Sequence, residues 1–404
     1  MACILGRIIA VRMNNLYSSS NGSDMNQNCL LHCGHKRHWL PGFFAASFLM
    51  VLLVLCSVYA QTSKRIHWYN CLGQEGKWYS SSEAIRIAEN VLLYQYPSGG
   101  WPKNIDMAEE LNASQKQQLK AQNHLDSSTI DNTATYTQLR YLARVYNSTK
   151  LERFRESFLK GLDYLLAAQY PNGGWPQFYP LREGYYSHIT FNDDAMIGVM
   201  KLLKDIAGKK SAFVFVDPER RAKAELAVAR GVQCILKCQI RVDGLLTAWC
   251  AQHDEHDFSP AMARTYELPS LSGNESVGVV EFLMGIEKPS DEIKNSIQSA
   301  VAWFNKVRIK GITVIEVNDS LGPAGKDRIV IRDLSAPHMW ARFYEIGTNK
   351  PFYCSRDGIK RDNLSEISYE RRNHYNWLDY WPQRLLEKEY PAWVRKHSLN
   401  NVLQ

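Results

Sequence analysis

Residues 169–196, QYPNGGWPQFYPLREGYYSHITFNDDAM, decide how this chain is organised. The stretch begins where a helix is expected to end, because its proline and Gly-Gly pair break a helix and favour a turn. Aromatic side chains follow, and Asn192, Asp193 and Asp194 close the loop directly before another apolar-periodic run. Three adjacent oxygen-bearing side chains at a helix start can cap the helix or hold a hard cation. An aromatic loop that ends in carboxylates indicates a sugar-binding groove with an ion in it.

The opening motif of this stretch occurs more than once. YPSGGWP at 96–102 and YPNGGWP at 170–176 both follow an expected helix that ends in Gln, and VDGLLTAW at 242–249 is a weaker version. Repetition of a helix, a Gly-Trp loop and another helix is typical of an array of helical hairpins. Because the loops are short, neighbouring helices are expected to be antiparallel.

Apolar periodicity and strand composition place the individual elements. A capping box at Ser80–Glu83 opens the first helix. Apolar residues on one face predict further helices over 133–146, 151–169, 194–207, 218–240, 275–285 and 290–307. Strands are expected at 312–317 and 328–332, joined by a Gly-Pro-Ala-Gly turn, and at 341–345 and 351–354. We expect this β segment, about 311–356, to be an insertion on the helical body.

Composition bounds the class of protein. With 404 residues, 45% hydrophobic and 22% charged, the chain fits a globular protein with a large core. The net charge of +7 suits an anionic partner without choosing one. No nucleic-acid partner is expected, because the sequence contains no RNA- or DNA-binding motif and no dense basic run.

Residues 1–60 predict an N-terminal extension with a signal peptide or an anchor. An apolar run from Phe43 to Ala60 follows the basic flank His35–His38 and ends in a small residue. The run is near the lower limit for a membrane span, so an uncleaved anchor stays open. We favour export to the periplasm or the extracellular space, with cleavage near Ala60 and no stable membrane partner afterwards.

The cysteines give no disulfide framework. Of the nine in the sequence, those beyond the signal are Cys71, Cys234, Cys238, Cys250 and Cys354. Cys234 and Cys238 are one helical turn apart, but no matching Cys or His pair that would complete a zinc site lies nearby. Buried free thiols, or one bridge with thiols left over, are the favoured interpretations.

Polar residues recur in the loops that follow helices. In an array of antiparallel helix pairs, alternate loops gather at one end, so residues distant in sequence can meet in one groove. The candidates are Lys103, Asn104, Asp106, Asp131, Asn132, His188, Asn192, Asp193, Asp194, His253, Asp254, Arg264, Tyr266, Arg342, Arg356 and Asp357.

Six segments carry a resemblance to a known family. They are GGWPKN at 99–104, TIDN at 129–132, TFNDDAM at 190–196, PAMARTYELPS at 260–270, ARFYEI at 341–346 and YCSRDG at 353–358. Together they resemble the pectate lyases of polysaccharide lyase family 10, in matching order, over roughly residues 80–392. The resemblance implies a mainly α fold, a toroid of antiparallel helix pairs similar to an (α/α) barrel, with a small irregular β-containing lobe near the C-terminus. A catalytic domain is then expected over 70–404.

The resemblance also implies calcium-dependent cleavage of α-1,4-linked polygalacturonate by anti β-elimination. Removing the C5 proton next to a carboxylate makes an enolate-like dianion, which needs cations. Calcium held by Asp193 and Asn132, with Asp131, would bind the substrate carboxylate and withdraw charge from C5. Asp131 is therefore placed among both the metal ligands and the catalytic residues. Arg264 matches the position of the family's proposed base.

An arginine base is unusual, because the free guanidinium is treated as permanently protonated. Calcium and other guanidinium groups nearby would lower the pKa of Arg264, since like charges disfavour the charged form. An alkaline optimum is the expectation. The substrate-binding set is completed by the residues that could hold uronate carboxylates or line the groove, which are Arg342, Arg356, Lys103, Asn104, Tyr266 and His188.

Several of these residues have a structural alternative. Asp194 at a helix start is favoured as a cap. Trp101 and Trp175 can stack on sugars, but a Trp after Gly-Gly is at least as often a core residue that packs helix ends. Glu267 is expected to orient Arg264.

Two other functions remain open at this point. A glycoside hydrolase on a helical toroid would use two carboxylates, for which Asp131 and Asp193 are available. A non-catalytic binder of acidic polysaccharides would use the same groove without cleavage. In each case we expect a monomer whose partner is a polyuronate.

Overall fold

The structure is a computed structural model that describes residues 66–122 and 124–403. The predicted signal peptide or anchor within 1–60 lies outside the described residues. The described residues belong to a unit that runs from Ile66 to the C-terminus. Within them, no helix combines the length and the apolar composition needed to cross a membrane.

Most helices lie where apolar periodicity predicts them, with bounds that differ by a few residues, but the short helices Tyr369–His374 and Tyr390–His397 were not predicted. The α-helices of the described residues are α1 (Ser82–Leu93), α2 (Ala113–Gln122), α3 (Tyr136–Thr149), α4 (Glu152–Ala167), α5 (Ala195–Ala207), α6 (Pro218–Cys238), α7 (Glu275–Met284), α8 (Asp291–Lys306), α9 (Tyr369–His374) and α10 (Tyr390–His397). Helix α2 was not predicted, because none of its residues is buried and it has no apolar face. The N-cap of α1 is Ser81 rather than Ser80, since the Ser81 hydroxyl accepts a hydrogen bond from the amide of Ala84 at 3.1 Å.

The helices form two rows. In one row α3 contacts α5 and α5 contacts α7, and in the other α1 contacts α4 and α4 contacts α6. Successive helices α3 and α4, α5 and α6, and α7 and α8 pack as pairs. This mainly α architecture is the (α/α) toroid that the sequence predicts.

A tryptophan at each Gly-Trp loop fixes how a helix of the second row joins the next helix of the first row. All three indoles are fully buried, and each donates its N–H to a carbonyl of the preceding helix. The bonds run from Trp101 to Val91 at 2.7 Å, from Trp175 to Leu165 at 2.8 Å and from Trp249 to Ile235 at 2.7 Å. These tryptophans are therefore core residues that pack helix ends, which is the alternative to stacking on sugars. The matching role of Trp249 confirms that 242–249 is a third copy of the motif.

A glutamine just before each loop ties neighbouring repeats together. Its amide donates both to a carbonyl of its own loop and to a carbonyl of the next helix in the second row. The second bond runs from Gln95 to Ser157 at 2.9 Å, from Gln169 to Ala227 at 2.9 Å and from Gln239 to Ser296 at 3.0 Å. The repeat is therefore one of side-chain function as well as of sequence.

The β-containing lobe near the C-terminus is built around one hairpin. Strands β6 (Ile312–Asn318) and β7 (Lys326–Arg332) pair antiparallel over their whole length, as predicted. Helix α9 packs against β7, where Arg372 donates to Asp327 at 2.7 Å. This hydrogen bond lowers the pKa of Asp327 to about 2.

The remaining strands are two residues long; three pairs join distant loops and two are local hairpins. They pair antiparallel as β1 (Ile189–Thr190) with β4 (Gln252–His253), β2 (Arg241–Val242) with β3 (Leu245–Leu246), β5 (Leu271–Ser272) with β9 (Phe343–Tyr344), β8 (Trp340–Ala341) with β12 (Leu378–Asp379), and β10 (Tyr353–Cys354) with β11 (Lys360–Arg361). The strand predicted over 341–345 is thus two strands, with Arg342 between them.

The five described cysteines are all buried and free. Burial raises the pKa of the Cys71 thiol to about 12 and that of Cys354 to about 11. They act as small core residues, which is the first of the two interpretations left open by the sequence.

Candidate active site

The candidate site lies at the N-terminal ends of the helices of the first row. In each repeat the tryptophan carbonyl accepts a hydrogen bond from the amide of a Thr or Ser in the segment leading to that helix. These bonds join Thr129 to Trp101 at 3.1 Å, Thr190 to Trp175 at 3.1 Å and Ser272 to Trp249 at 2.7 Å. At the same spacing after each donor come Asp131-Asn132, Asn192-Asp193 and Asn274-Glu275.

Two equivalent positions adopt a left-handed backbone. Asn132 has φ 47° and Asp193 has φ 49°, a conformation that short polar side chains tolerate better than others. Asp194 is left-handed as well, with φ 57°, and its side chain makes no capping bond to α5. The prediction that Asp194 caps the helix is therefore wrong, because its carboxylate does not reach the first amides.

A narrow polar pocket of about 70 Å³ brings the sequence-predicted residues together. Its lining includes Arg264, Asp131, Asn132, Asp193 and Lys103, which come from four separate loops. Other residues line the pocket without having been predicted to do so, and these are Gln177, Tyr185, Gln252 and Glu267.

Asp131 is buried in this pocket and only partly satisfied. The ammonium of Lys103 forms an ion pair with its Oδ2. Its Oδ1 is buried without a hydrogen-bond partner. Because a buried carboxylate oxygen left unpaired is costly, this atom is suited to a cation in the pocket.

Asp193 contacts a buried arginine. The Arg342 guanidinium lies 3.4 Å from Asp193 Oδ1, and Asn192 donates to Asp193 Oδ2 at 2.8 Å. Arg342 is only 6% exposed and also forms an ion pair with the buried Glu275. Burial opposes its charge, but Glu275 and other neighbours raise the pKa of Arg342 above its usual range. Arg342 is not among the residues that line this pocket, and its guanidinium contacts Asp193 and Glu275, so its contact with substrate stays a prediction.

Arg264 is bound by Glu267. Its Nε donates to one carboxylate oxygen at 2.7 Å and its Nη2 donates to the other. Burial alone would lower the pKa of Arg264, but the hydrogen bonds and charge of Glu267 raise it above the usual range. Glu267 orients Arg264 as expected, yet it shifts the pKa in the direction opposite to the one expected for a base.

Tyr266 is not available to a ligand. Its side chain is 1% exposed, and its ring packs against the guanidinium groups of Arg264 at 5.0 Å, Arg356 at 5.6 Å and Arg371 at 4.5 Å. The arginines cover the Tyr266 ring in this structure, so its role in substrate binding stays a prediction. Arg356 is exposed and pairs with Glu370 at 3.0 Å, outside the pocket lining.

Two other predicted residues lie apart from the pocket lining. Asn104 accepts a hydrogen bond from the Asn132 amide at 2.9 Å and so lies at the edge of the site. His188 does not line the pocket. One of its ring nitrogens lies within 4.8 Å of carboxylate oxygens of Asp254 and Glu255, a group that could hold a metal ion.

Comparison with known proteins identifies the family of the chain. A family model described as pectic acid lyase matches residues 95–386. A solved family 10 polysaccharide lyase from Cellvibrio cellulosa is similar with a TM-score of 0.67 and 35% identity, over 81% of this chain and 94% of that chain. A mutant of a family 10 polysaccharide lyase from the same organism, in complex with trigalacturonic acid, matches with a TM-score of 0.67 and 35% identity, over 80% and 95% of the two chains. The comparison with curated proteins gave no match.

The family model and the solved structures at 35% identity show that the chain is an enzyme of the polysaccharide lyase class. The chain belongs to the pectic acid lyases and, within the polysaccharide lyases, to family 10.

Proposed function

We propose that this pectate lyase cleaves α-1,4-linked polygalacturonate by calcium-dependent anti β-elimination and releases unsaturated oligogalacturonides. The supporting observation is that Asp131, Asn132, Asp193 and Arg264, from loops far apart in sequence, line one pocket. A similar family 10 enzyme carries trigalacturonic acid in its complex, which supports a galacturonate polymer as substrate.

The residues of the pocket fit a hard cation. Asp131 offers a buried oxygen without a partner, and the carboxylate of Asp193 is fixed by Arg342 and Asn192. The Asn132 amide nitrogen is the donor to Asn104, so its carbonyl oxygen is the atom it can offer. Such an all-oxygen donor set is the kind that calcium prefers. When bound there, calcium would neutralise the uronate carboxylate and stabilise the charge that develops next to C5.

Arg264 is proposed to accept the C5 proton. The electron pair of the C5–H bond then forms the C4–C5 double bond, the C4–O bond breaks, and the leaving oxygen takes up a proton. Glu267 keeps Arg264 protonated in the free enzyme, because its ion pair favours the charged form. Arg264 can act as a base only if bound calcium and nearby cationic groups lower its pKa by more than Glu267 raises it. The rate is therefore expected to rise with pH.

Lys103 and Arg356 are proposed to bind the polymer. The Lys103 ammonium borders the pocket and is held by Asp131, so it can shift to a uronate carboxylate if a cation takes over Asp131. Arg356 is exposed and lies 5.6 Å from the Tyr266 ring, where it can meet a uronate further along the polymer.

The nature of the product tests the proposed function. The protein is incubated with polygalacturonate, with and without a calcium chelator, and both ultraviolet absorbance and new reducing ends are followed. A lyase produces an absorbing unsaturated uronide in calcium and neither signal in chelator. New reducing ends without absorbance would indicate hydrolysis by Asp131 and Asp193.

Export is proposed as well, from the basic flank and the apolar run that ends at Ala60. N-terminal sequencing of the protein recovered outside the cytoplasm tests this proposal. A mature chain beginning near residue 61 is expected.

A further inference from the structure

A second cavity lies beside the active-site pocket. It has a volume of about 360 Å³ and is lined by the 67–69 segment, the 102–106 loop and the start of the 132–138 segment. Two side chains, Lys103 and Asn132, line both this cavity and the narrow pocket. A polysaccharide chain that leaves the pocket past these two residues therefore enters the cavity.

Tyr69 gives this cavity an open aromatic face. The side chain is 79% exposed, and no other Phe, Tyr or Trp of the described residues is classed as exposed. Its ring stacks on the ring of His67, with centroids 5.8 Å apart and an interplanar angle of 9°. A tyrosine normally buries most of its ring, so an exposed and supported one indicates a surface that a ligand covers.

The segment that carries Tyr69 is fixed to the loop that carries Lys103. Asp106 accepts hydrogen bonds from the His67 ring at 2.8 Å, from the Trp68 amide at 2.9 Å and from the Ala108 amide at 3.1 Å. Burial opposes the charge of Asp106, but these bonds hold the pKa of its carboxyl below the usual range. Trp68 packs edge-on against Tyr141 of the core at 5.2 Å. The aromatic face is therefore held in place before any ligand arrives.

We propose that this cavity is a further sugar-binding subsite, which takes a galacturonate unit of the same polymer outside the cleaved linkage. Tyr69 stacks on the apolar face of the sugar ring, and Asn104, Asn132 and Lys103 supply hydrogen-bonding and charged groups for its hydroxyls and carboxylate. Asp106 does not repel the uronate strongly, because its charge is taken up by three donors. The proposal rests on the proposed function in that the ligand is a galacturonate chain.

The test compares oligomer lengths in Tyr69→Ala, Tyr69→Phe and the wild type, in calcium. Leu321→Ala is the matched control, since that residue is 97% exposed and lies in the turn between β6 and β7. With hexagalacturonate, Tyr69→Ala is expected to lower kcat/KM on the order of ten-fold, the size of one lost aromatic stack with its buried area. With the shortest oligomer that the wild type cleaves, the change should stay within about two-fold. Tyr69→Phe should retain the preference for the hexamer.

Two results would overturn the subsite. One is an equal loss for all oligomer lengths, and the other is no loss for the hexamer in a variant whose thermal unfolding matches that of the wild type. Equilibrium binding of hexagalacturonate and digalacturonate is measured on the same proteins. If no oligomer is cleaved at all, the proposed function fails, and the binding data alone decide the subsite. The subsite is supported if the wild type binds hexagalacturonate more tightly than digalacturonate and Tyr69→Ala loses this preference. It is rejected if the variant keeps the preference or if the wild type has none.

Discussion

Glu267 holds Arg264 in a two-point ion pair, with the Arg264 Nε 2.7 Å from one oxygen and the Nη2 on the other. Tyr375 donates a further hydrogen bond to Glu267 at 2.8 Å. Burial opposes the charge of Glu267, but Arg264 and Tyr375 hold the pKa of its carboxyl below the usual range. The residue proposed to accept a proton is thus the one whose protonated form the free enzyme stabilises.

The first prediction concerns this pair. Glu267→Gln removes the negative charge that raises the pKa of Arg264, so the pKa of Arg264 should fall. If Arg264 is the base, the rise of kcat with pH begins at lower pH in the variant. The pH–rate profile in saturating calcium measures it. Glu316→Gln is the control, because Glu316 is an exposed carboxylate that pairs with Lys326 in the β6–β7 hairpin, outside the pocket. An unshifted profile in Glu267→Gln would mean that Arg264 only binds charge.

The second prediction concerns Glu275, whose partner Arg342 positions Asp193. Glu275→Gln leaves the buried Arg342 without its charged partner, so Arg342 should draw closer to Asp193 and compete with calcium. We expect the calcium concentration for half-maximal rate to rise on the order of ten-fold, which is about 1.4 kcal/mol. Thermal unfolding checks that the variant is folded. Unchanged calcium dependence in a folded variant would remove Arg342 and Glu275 from the account of the site.

The third prediction tests the Gly-Trp loop. Gly173 has φ +96°, and an added Cβ would lie 2.2 Å from the carbonyl oxygen of Arg230, whereas Gly184 has φ +86° with nothing within 4 Å. Both Ala variants carry backbone strain, of about 1–3 kcal/mol. Only Gly173→Ala also pushes the Gly-Trp loop away from α6, so it should lose clearly more unfolding free energy than Gly184→Ala in urea titrations. Equal losses would show that the loop is not closely packed on α6.

The fourth prediction is a pH dependence of stability. His253 is fully buried and neutral, since its Nε2 accepts from the Cys250 amide at 3.0 Å and its Nδ1 donates to the Phe258 carbonyl at 2.7 Å. Burial lowers its pKa from 6.5 to about 4. The unfolded chain therefore binds the proton first, and stability falls as pH drops from 6.5 to about 4.

The loss linked to His253 is on the order of 3 kcal/mol at most. It is measured as the difference in unfolding free energy between the wild type and His253→Gln across that range. The variant should lose less stability than the wild type as pH falls. Parallel curves for the two proteins would contradict the assignment.

The helices and the hairpin could be predicted because their signals are local. Apolar periodicity placed α3 to α8, and strand composition around a Gly-Pro turn placed β6 and β7. Helix α2 has no apolar face, so periodicity could not find it. The pairs β1–β4, β5–β9 and β8–β12 join loops far apart in the chain, and such pairing leaves no local pattern.

The site could be predicted in part, through motifs with short internal spacing. Asp131-Asn132 and Asn192-Asp193 stand out because polar residues precede an apolar run. Glu275 was missed, although it follows Ser272 at the spacing by which Asp193 follows Thr190. Burial separates Tyr266 and Arg342 from the exposed groove, and sequence alone does not distinguish an arginine that binds a ligand from one that holds a carboxylate.

The most direct test of the account is formation of the unsaturated product by Arg264→Ala in calcium, measured together with polymer binding. The account predicts that absorbance from new double bonds falls to background while polygalacturonate still binds in a calcium-dependent way, because Asp131, Asn132 and Asp193 are intact. Leu321→Ala should retain both. Normal product formation by Arg264→Ala would contradict the claim that the residues of this pocket carry out the elimination with Arg264 as the proton acceptor.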